Sequence, residues 1–325
     1  MSLRVAYVGS FGYHGLLSMD PNSIAAQVCQ SASCTTGGVG TARGTVTQGQ
    51  QYIPVGTRPN QYLSGGFFWM TQGNSSYNGL QADLTKRMAK GLQFRANFTW
   101  SKNLDINSGL TGAQAQNQPQ MLLDRTNLRR DWGASALDVR AQSTISLHYD
   151  LPFGPGQRWL KSNNGVVSKL VGGWQFNTIT TLLSGFPFTP TVGANRSGNG
   201  DTRNPDRPSF NPNFTGSIIT GDPNRWYDPN AFVLPTVGTF GNAGRSILRG
   251  PGLQTVDLSV MKNTRLTERF TLQFRAEAFN LLNRANFGTP NPIVFSGTSV
   301  AAAAGLITTT VTPSRQLQGS LKLIF

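Results

Sequence analysis

Strict two-residue alternation is the feature that most restricts this chain. Between residues 92 and 101, Leu92, Phe94, Ala96, Phe98 and Trp100 fall on one side of an extended backbone, and Gln93, Arg95, Asn97, Thr99 and Ser101 fall on the other. Only a β-strand sends alternate side chains to opposite faces, so this segment predicts a strand with one apolar and one polar surface. Seven further segments follow the rule: 3–13, 78–88, 139–151, 174–186, 254–262, 270–281 and 314–325. The fifth strand in chain order, 174–186, alternates least well and is rich in threonine. Each segment is near the nine to eleven residues with which a tilted strand crosses a bilayer.

The connections alternate as well. Strands two and three, and six and seven, are joined by a few residues, and strands four and five by a medium link. Residues 14–77, 102–138, 187–253 and 282–313 are long. With an even number of strands, every short link and both chain ends fall on the same side of the sheet. That arrangement characterises outer-membrane barrels, whose turns are short on one side and loops long on the other. The aromatics Trp100, Tyr149, Phe153, Trp174, Phe186, Phe188 and Phe325 stand near predicted strand ends, where an interfacial girdle would place them.

Composition agrees with strands and excludes several alternatives. Two of fourteen acids are glutamate and seven of twenty-eight bases are lysine, so exposed-helix residues are scarce. Charged residues make up 13% of the chain while hydrophobic ones reach only 38%, the mixture expected of a wall lipid-facing on one side and wet on the other. No run of eighteen apolar residues exists, which excludes a transmembrane helix. No apolar leader follows Met1 either, from which a fragment or a misplaced gene start is expected. The formal charge of +14 comes from arginines scattered from Arg4 to Arg315 without a basic run. Nucleic-acid binding is therefore not expected. Lipid head groups or an anionic solute are the expected partners of those arginines.

Cys29 and Cys34 lie five apart in a polar stretch without a nearby histidine, which points to a small surface disulfide restraining a loose loop. A metal site would need more ligands than His14 and His148 supply, and no cofactor is expected. His148 and Asp150 share the polar face of strand four, but no nucleophile motif accompanies them, so no catalytic residue is assigned and the chain is not expected to be an enzyme. Residues 198–213 lack the spacing of a calcium loop and read as a surface loop shaped by Asn, Pro and Gly. The candidate functional residues are the polar-face charges Asp83, Arg95, Arg140, Asp257, Arg275 and Glu277, facing a lumen and pairing across the wall.

Several stretches resemble a known family. Ser76-Tyr77-Asn78-Gly79-Leu80-Gln81, Gly91-Leu92-Gln93-Phe94, Thr99-Trp100-Ser101-Lys102 and Phe274-Arg275-Ala276-Glu277-Ala278-Phe279-Asn280-Leu281-Leu282-Asn283 are similar to the barrel of TonB-dependent receptors, in particular the Oar-like group with a carboxypeptidase-regulatory-like domain. Leu151-Pro152-Phe153-Gly154, Gly172-Gly173-Trp174-Gln175, Ser184-Gly185-Phe186-Pro187-Phe188 and residues 200–208 add to the likeness. The resemblance implies that residues 1–325 are the carboxy-terminal part of such a barrel, eight strands of twenty-two, without counterparts of the plug or TonB box. It implies an outer-membrane protein with long loops outside and its carboxy-terminus in the periplasm. The implied partners are outer-membrane lipid and lipopolysaccharide, the amino-terminal barrel and plug, and TonB only through those parts. The expected fold is all-β: an antiparallel transmembrane sheet, curved and open as an isolated chain. The expected function is transport of a solute the sequence does not identify, with a surface-binding or adhesion barrel as the alternative and an outer-membrane enzyme behind it.

Overall fold

A computed structural model describes the chain except residues 109–118, 120, 155, 160–164, 202 and 204. Eight long strands follow one another in a single antiparallel sheet in chain order: β1 Ser2–Met19, β2 Phe68–Ala89, β3 Leu92–Asp105, β4 Ala141–Asp150, β5 Trp174–Leu183, β6 Leu253–Arg265, β7 Thr271–Phe279 and β8 Gln316–Ile324. β1 and β8 are its two edges, and they do not pair with each other. The sheet is an open wall.

Register across the wall shows why alternation survives so far. Phe94, Leu147, Thr178, Leu258, Ala278 and Leu317 are cross-strand partners in succession from β3 to β8. The neighbouring row, Gln93, His148, Asn177, Ser259, Glu277 and Gln318, runs through the same strands on the opposite face. A slip of one residue anywhere would exchange the faces, so the pattern of each strand fixes its register against the next. The weakly alternating strand takes its parity from its neighbours. Thr178 and Thr180 join the apolar rows, opposite Leu147 and Ile145, while Ile179 falls on the polar side.

Both short links lie at the rim that carries the chain ends. Between β2 and β3 the turn is Lys90 and Gly91, with φ of 54° and 76°. Two left-handed residues suit the twist of a tight hairpin. At the same rim the link from β4 to β5 carries a short helix, α1, Gly165–Val171. Gly173, at φ 78°, then turns the chain into β5 where a Cβ would collide with the Asn263 carbonyl.

β1 and β2 run well beyond the segments the alternation marked, to Met19 and from Phe68. Their upper halves cross two register shifts near Gly12 and Gly15, where His14 adopts φ 57°. Gly73 sits against Gly15 so closely that a Cβ would lie 2.7 Å from its carbonyl oxygen. A bulge of this kind breaks the two-residue period while keeping the strands paired.

The described residues of the four long connections, expected as loops, form a packed cap at the opposite rim. Short hairpins build it, among them Ser33–Thr36 with Gly44–Thr47 and Phe295–Ser296 with Ser299–Val300. Its apolar core gathers Phe188, Tyr227, Phe232, Leu248 and Val294, all buried. Phe188 is thus fully enclosed, against its expected place in a girdle, because the chain after β5 turns inward as Pro187–Phe188 pairs with Leu248–Arg249. Trp100 and Phe325, by contrast, are exposed.

Candidate functional site

Two polar regions stand out: the polar face of the wall and the interior of the cap. On the wall, Arg4 pairs across to Asp83, which in turn faces Asn97. Arg95 Nε donates to Asp83 Oδ2 at 2.8 Å, and Thr85 Oγ1 donates to Asp83 Oδ1 at 2.9 Å. Arg4, Gln81, Asp83, Arg95, Asn97 and Thr99 line one cleft. Elsewhere on the wall, Arg275 Nη1 approaches Glu277 Oε1 at 3.6 Å, and Gln318 Nε2 donates to Glu277 Oε2. Asp257 does something different. Its Oδ1 accepts the backbone N–H of Asn280 at 2.8 Å, holding the left-handed residue that ends β7. Arg140 precedes β4 and is exposed, beside Tyr7, Trp100 and Lys102 near the upper rim. The candidate charges therefore form two pairs, Asp83–Arg95 and Arg275–Glu277, with Asp257 and Arg140 apart from both.

His148 Nδ1 lies 2.6 Å from Asn177 Oδ1, and its Nε2 lies 3.2 Å from Asp150 Oδ1. Both ring nitrogens are thereby engaged by neighbours on the same polar face. The arrangement can hold a proton and orient a ring, and it presents no hydroxyl or thiol nucleophile to the imidazole among these partners.

The cap interior holds the larger network. Arg207 Nη2 bonds Asp131 Oδ1 at 3.1 Å and the Arg130 carbonyl at 3.2 Å, and both side chains of the ion pair are nearly inaccessible. Arg245 pairs with Asp105, and Arg249 with Asp138. Arg58 and Arg203 approach Asp20 at 3.7 and 3.9 Å, and Arg130 approaches Asp124 at 3.8 Å. Burial pushes the Asp131 carboxyl up and the Arg207 guanidinium down, while their mutual attraction opposes both shifts. Four of the pairs, Arg207–Asp131, Arg245–Asp105, Arg249–Asp138 and Arg203–Asp20, join segments far apart in sequence and so rivet one part of the cap to another, whereas Arg58–Asp20 and Arg130–Asp124 each lie within a single connection. Removing one partner of such a buried pair leaves an uncompensated charge, a loss of about 3–5 kcal/mol.

Residues 198–213, expected at the surface, lie largely inside this network, except Thr202 and Asn204, which fall outside the described residues. Asp201 and Asp206 are enclosed. Asp206 accepts from the Ser197 N–H at 2.6 Å and from Ser197 Oγ at 2.9 Å, yet burial dominates and pushes its carboxyl up to about 6. Six of the arginines, Arg58, Arg130, Arg203, Arg207, Arg245 and Arg249, thus meet aspartates within the cap. One sequence signal pointed that way: twenty-one of the twenty-eight bases are arginine and twelve of the fourteen acids aspartate. Arginine's planar fork suits enclosed carboxylate pairs better than lysine does.

Cys29 and Cys34 are joined by a disulfide, with Cα atoms 5.8 Å apart. The surrounding segment is not loose. Cys29 is buried, its backbone N–H donates to Gln50, and Gln27–Val28 pairs with Gln51–Tyr52 around it.

An antiparallel wall with one apolar and one polar face and a packed cap at one rim is the architecture of an outer-membrane barrel protein. A family model described as "Outer membrane beta barrel domain" matches residues 1–318, and the chain belongs to that family. The protein is accordingly assigned to the outer membrane. No curated protein and no solved structure matches the chain.

Proposed function

We propose that this chain forms the carboxy-terminal wall of a TonB-dependent transporter, with the cap on the cell surface and the short turns and chain ends in the periplasm. The observation that carries the reading is the open wall with a predominantly polar face: its rows of Gln, Asn, Glu and Arg, interrupted by Ile179 and Met261, run from strand to strand without closing on themselves. A narrow eight-stranded barrel would press those side chains into a space only just wide enough for them, whereas a much wider barrel leaves them lining a filled or wet interior. The motifs similar to those of TonB-dependent receptors agree with the wider barrel. In that setting Asp83–Arg95 and Arg275–Glu277 line the lumen, and the chain itself is neither an enzyme nor a cofactor binder.

Uptake measurements test this reading. In the native host, chromosomal deletion of residues 184–252 is combined with a panel of iron chelates, cobalamin, saccharides and peptides. Transport predicts one solute whose uptake falls both on deletion and on collapse of the proton-motive force. The cap's own hydrophobic core favours a second reading, a surface-binding barrel. That reading predicts unchanged uptake across the panel together with lost attachment of cells to a surface or partner.

A further inference from the structure

The helix α1 is built inside out for water. Of its residues Gly165–Val171, Val166, Val167 and Leu170 are exposed, at 69%, 41% and 64%, while Ser168 is half-buried. A helix packed on a soluble protein would turn the leucine and valines inward and the serine out.

Its position explains the inversion. Trp174, Lys262, Phe274 and Leu321 are successive cross-strand partners on the apolar side of the wall. Lys262 Nζ leaves that row to donate to the carbonyls of Leu170 at 2.8 Å and Gly172 at 2.7 Å, and it lies 4.8 Å from the centre of the Trp174 ring. Trp174 Nε1 donates to the same Leu170 carbonyl at 3.1 Å. The carboxy-terminal end of α1 is therefore fastened to the lipid side of the wall by a cation at its negative dipole end and by an indole. A lysine on a lipid face needs such an outlet for its charge.

We infer that α1 is an interfacial foot, lying in the phospholipid leaflet at the turn rim with Val167 and Leu170 in the edge of the hydrocarbon. Continuity with the apolar face of the wall names the occupant: the helix extends a surface already covered by lipid. Exposed Arg158, ahead of the helix, and exposed Lys169, in its last turn, suit phosphate head groups, and exposed Trp159 has the amphipathic ring favoured at that depth. That the leaflet is the periplasmic one rests on the orientation proposed above.

Nitroxide labelling decides it. Leu170→Cys, Leu321→Cys and Glu268→Cys are introduced singly at the chromosomal locus, so that each label is read in the native outer membrane. The described cysteines are both in the disulfide, so the new thiol is the one labelled. The expected result is that the Leu170 label, like the Leu321 label, collides mainly with oxygen, while the Glu268 label in the turn collides mainly with a water-soluble nickel chelate. A Leu170 label as open to nickel as the one at Glu268 overturns the inference and leaves the barrel standing. A label shielded from both agents overturns it in favour of a protein partner. A nickel-accessible Leu321 label overturns the barrel reading and the inference together.

Discussion

At the scale of single residues, the chain keeps its charges in two different environments. On the wall they are partly exposed and paired with neighbours two residues or one strand away, as Asp83 is with Arg95. Such pairs contribute little, about 0–1 kcal/mol. In the cap they are enclosed, and one of them titrates in the accessible range. The Asp206 carboxyl is raised to about 6 from its ordinary value of 3.8, chiefly by burial. Folding therefore favours its protonated form, so this group's contribution to cap stability is fully present below about pH 4 and is lost as pH climbs through about 6. Asp206→Asn keeps an acceptor for the Ser197 N–H and offers a donor to Ser197 Oγ. Protease resistance of the cap in that variant is expected to equal or exceed that of the parent at pH 7, with the slope between pH 4 and 6 flattened. A variant as pH-sensitive as the parent would remove Asp206 from the account.

At the scale of elements, the strands were legible because lipid and lumen impose opposite demands on neighbouring residues. Strands β3 and β4 and strands β6 to β8 begin and end within a few residues of where the alternation places them. The upper halves of β1 and β2 were not legible: residues 68–77 carry Gly, Asn and Ser without a period, and only pairing across the bulge keeps them extended. The cap was hidden for a different reason. Its contacts join residues as distant as Thr36 and Val237, whose hydrogen bond spans 201 positions, and no local pattern records such a meeting. The two faces of the wall can be tested by moving one charge a single residue. Leu258→Arg places a cation in the apolar row and is expected to cost about 2–4 kcal/mol near the bilayer centre. Ser259→Arg stands between Asn177 and Glu277 on the polar row and is expected to change little. Urea midpoints in outer-membrane preparations compare them, and the reverse order would mean that the wall faces the other way.

At the scale of the whole molecule, the two free edges dominate. Leu3, Val5 and Tyr7 on β1 and Leu317, Leu321 and Leu323 on β8 are exposed on edge strands that no further strand among the described residues completes. Hydrocarbon does not satisfy such groups, at a cost of several kcal/mol each. The chain refolded alone in detergent is therefore expected to give no protease-resistant monomer whose gel migration changes on heating. A compact monomer with the conductance of a narrow pore would instead show that β1 and β8 can meet. The interlocked cap has its own consequence, one of timing. Phe188 and Tyr227 arrive between β5 and β6, whereas Val294 and Phe295 arrive only after β7, and Arg207 must find Asp131 from an earlier connection still. The cap core is therefore incomplete until the connection after β7 is in place. If the cap stands on the cell surface, as proposed, that connection has to cross the bilayer before the core can close, so closure of the cap is expected to be a late step of assembly.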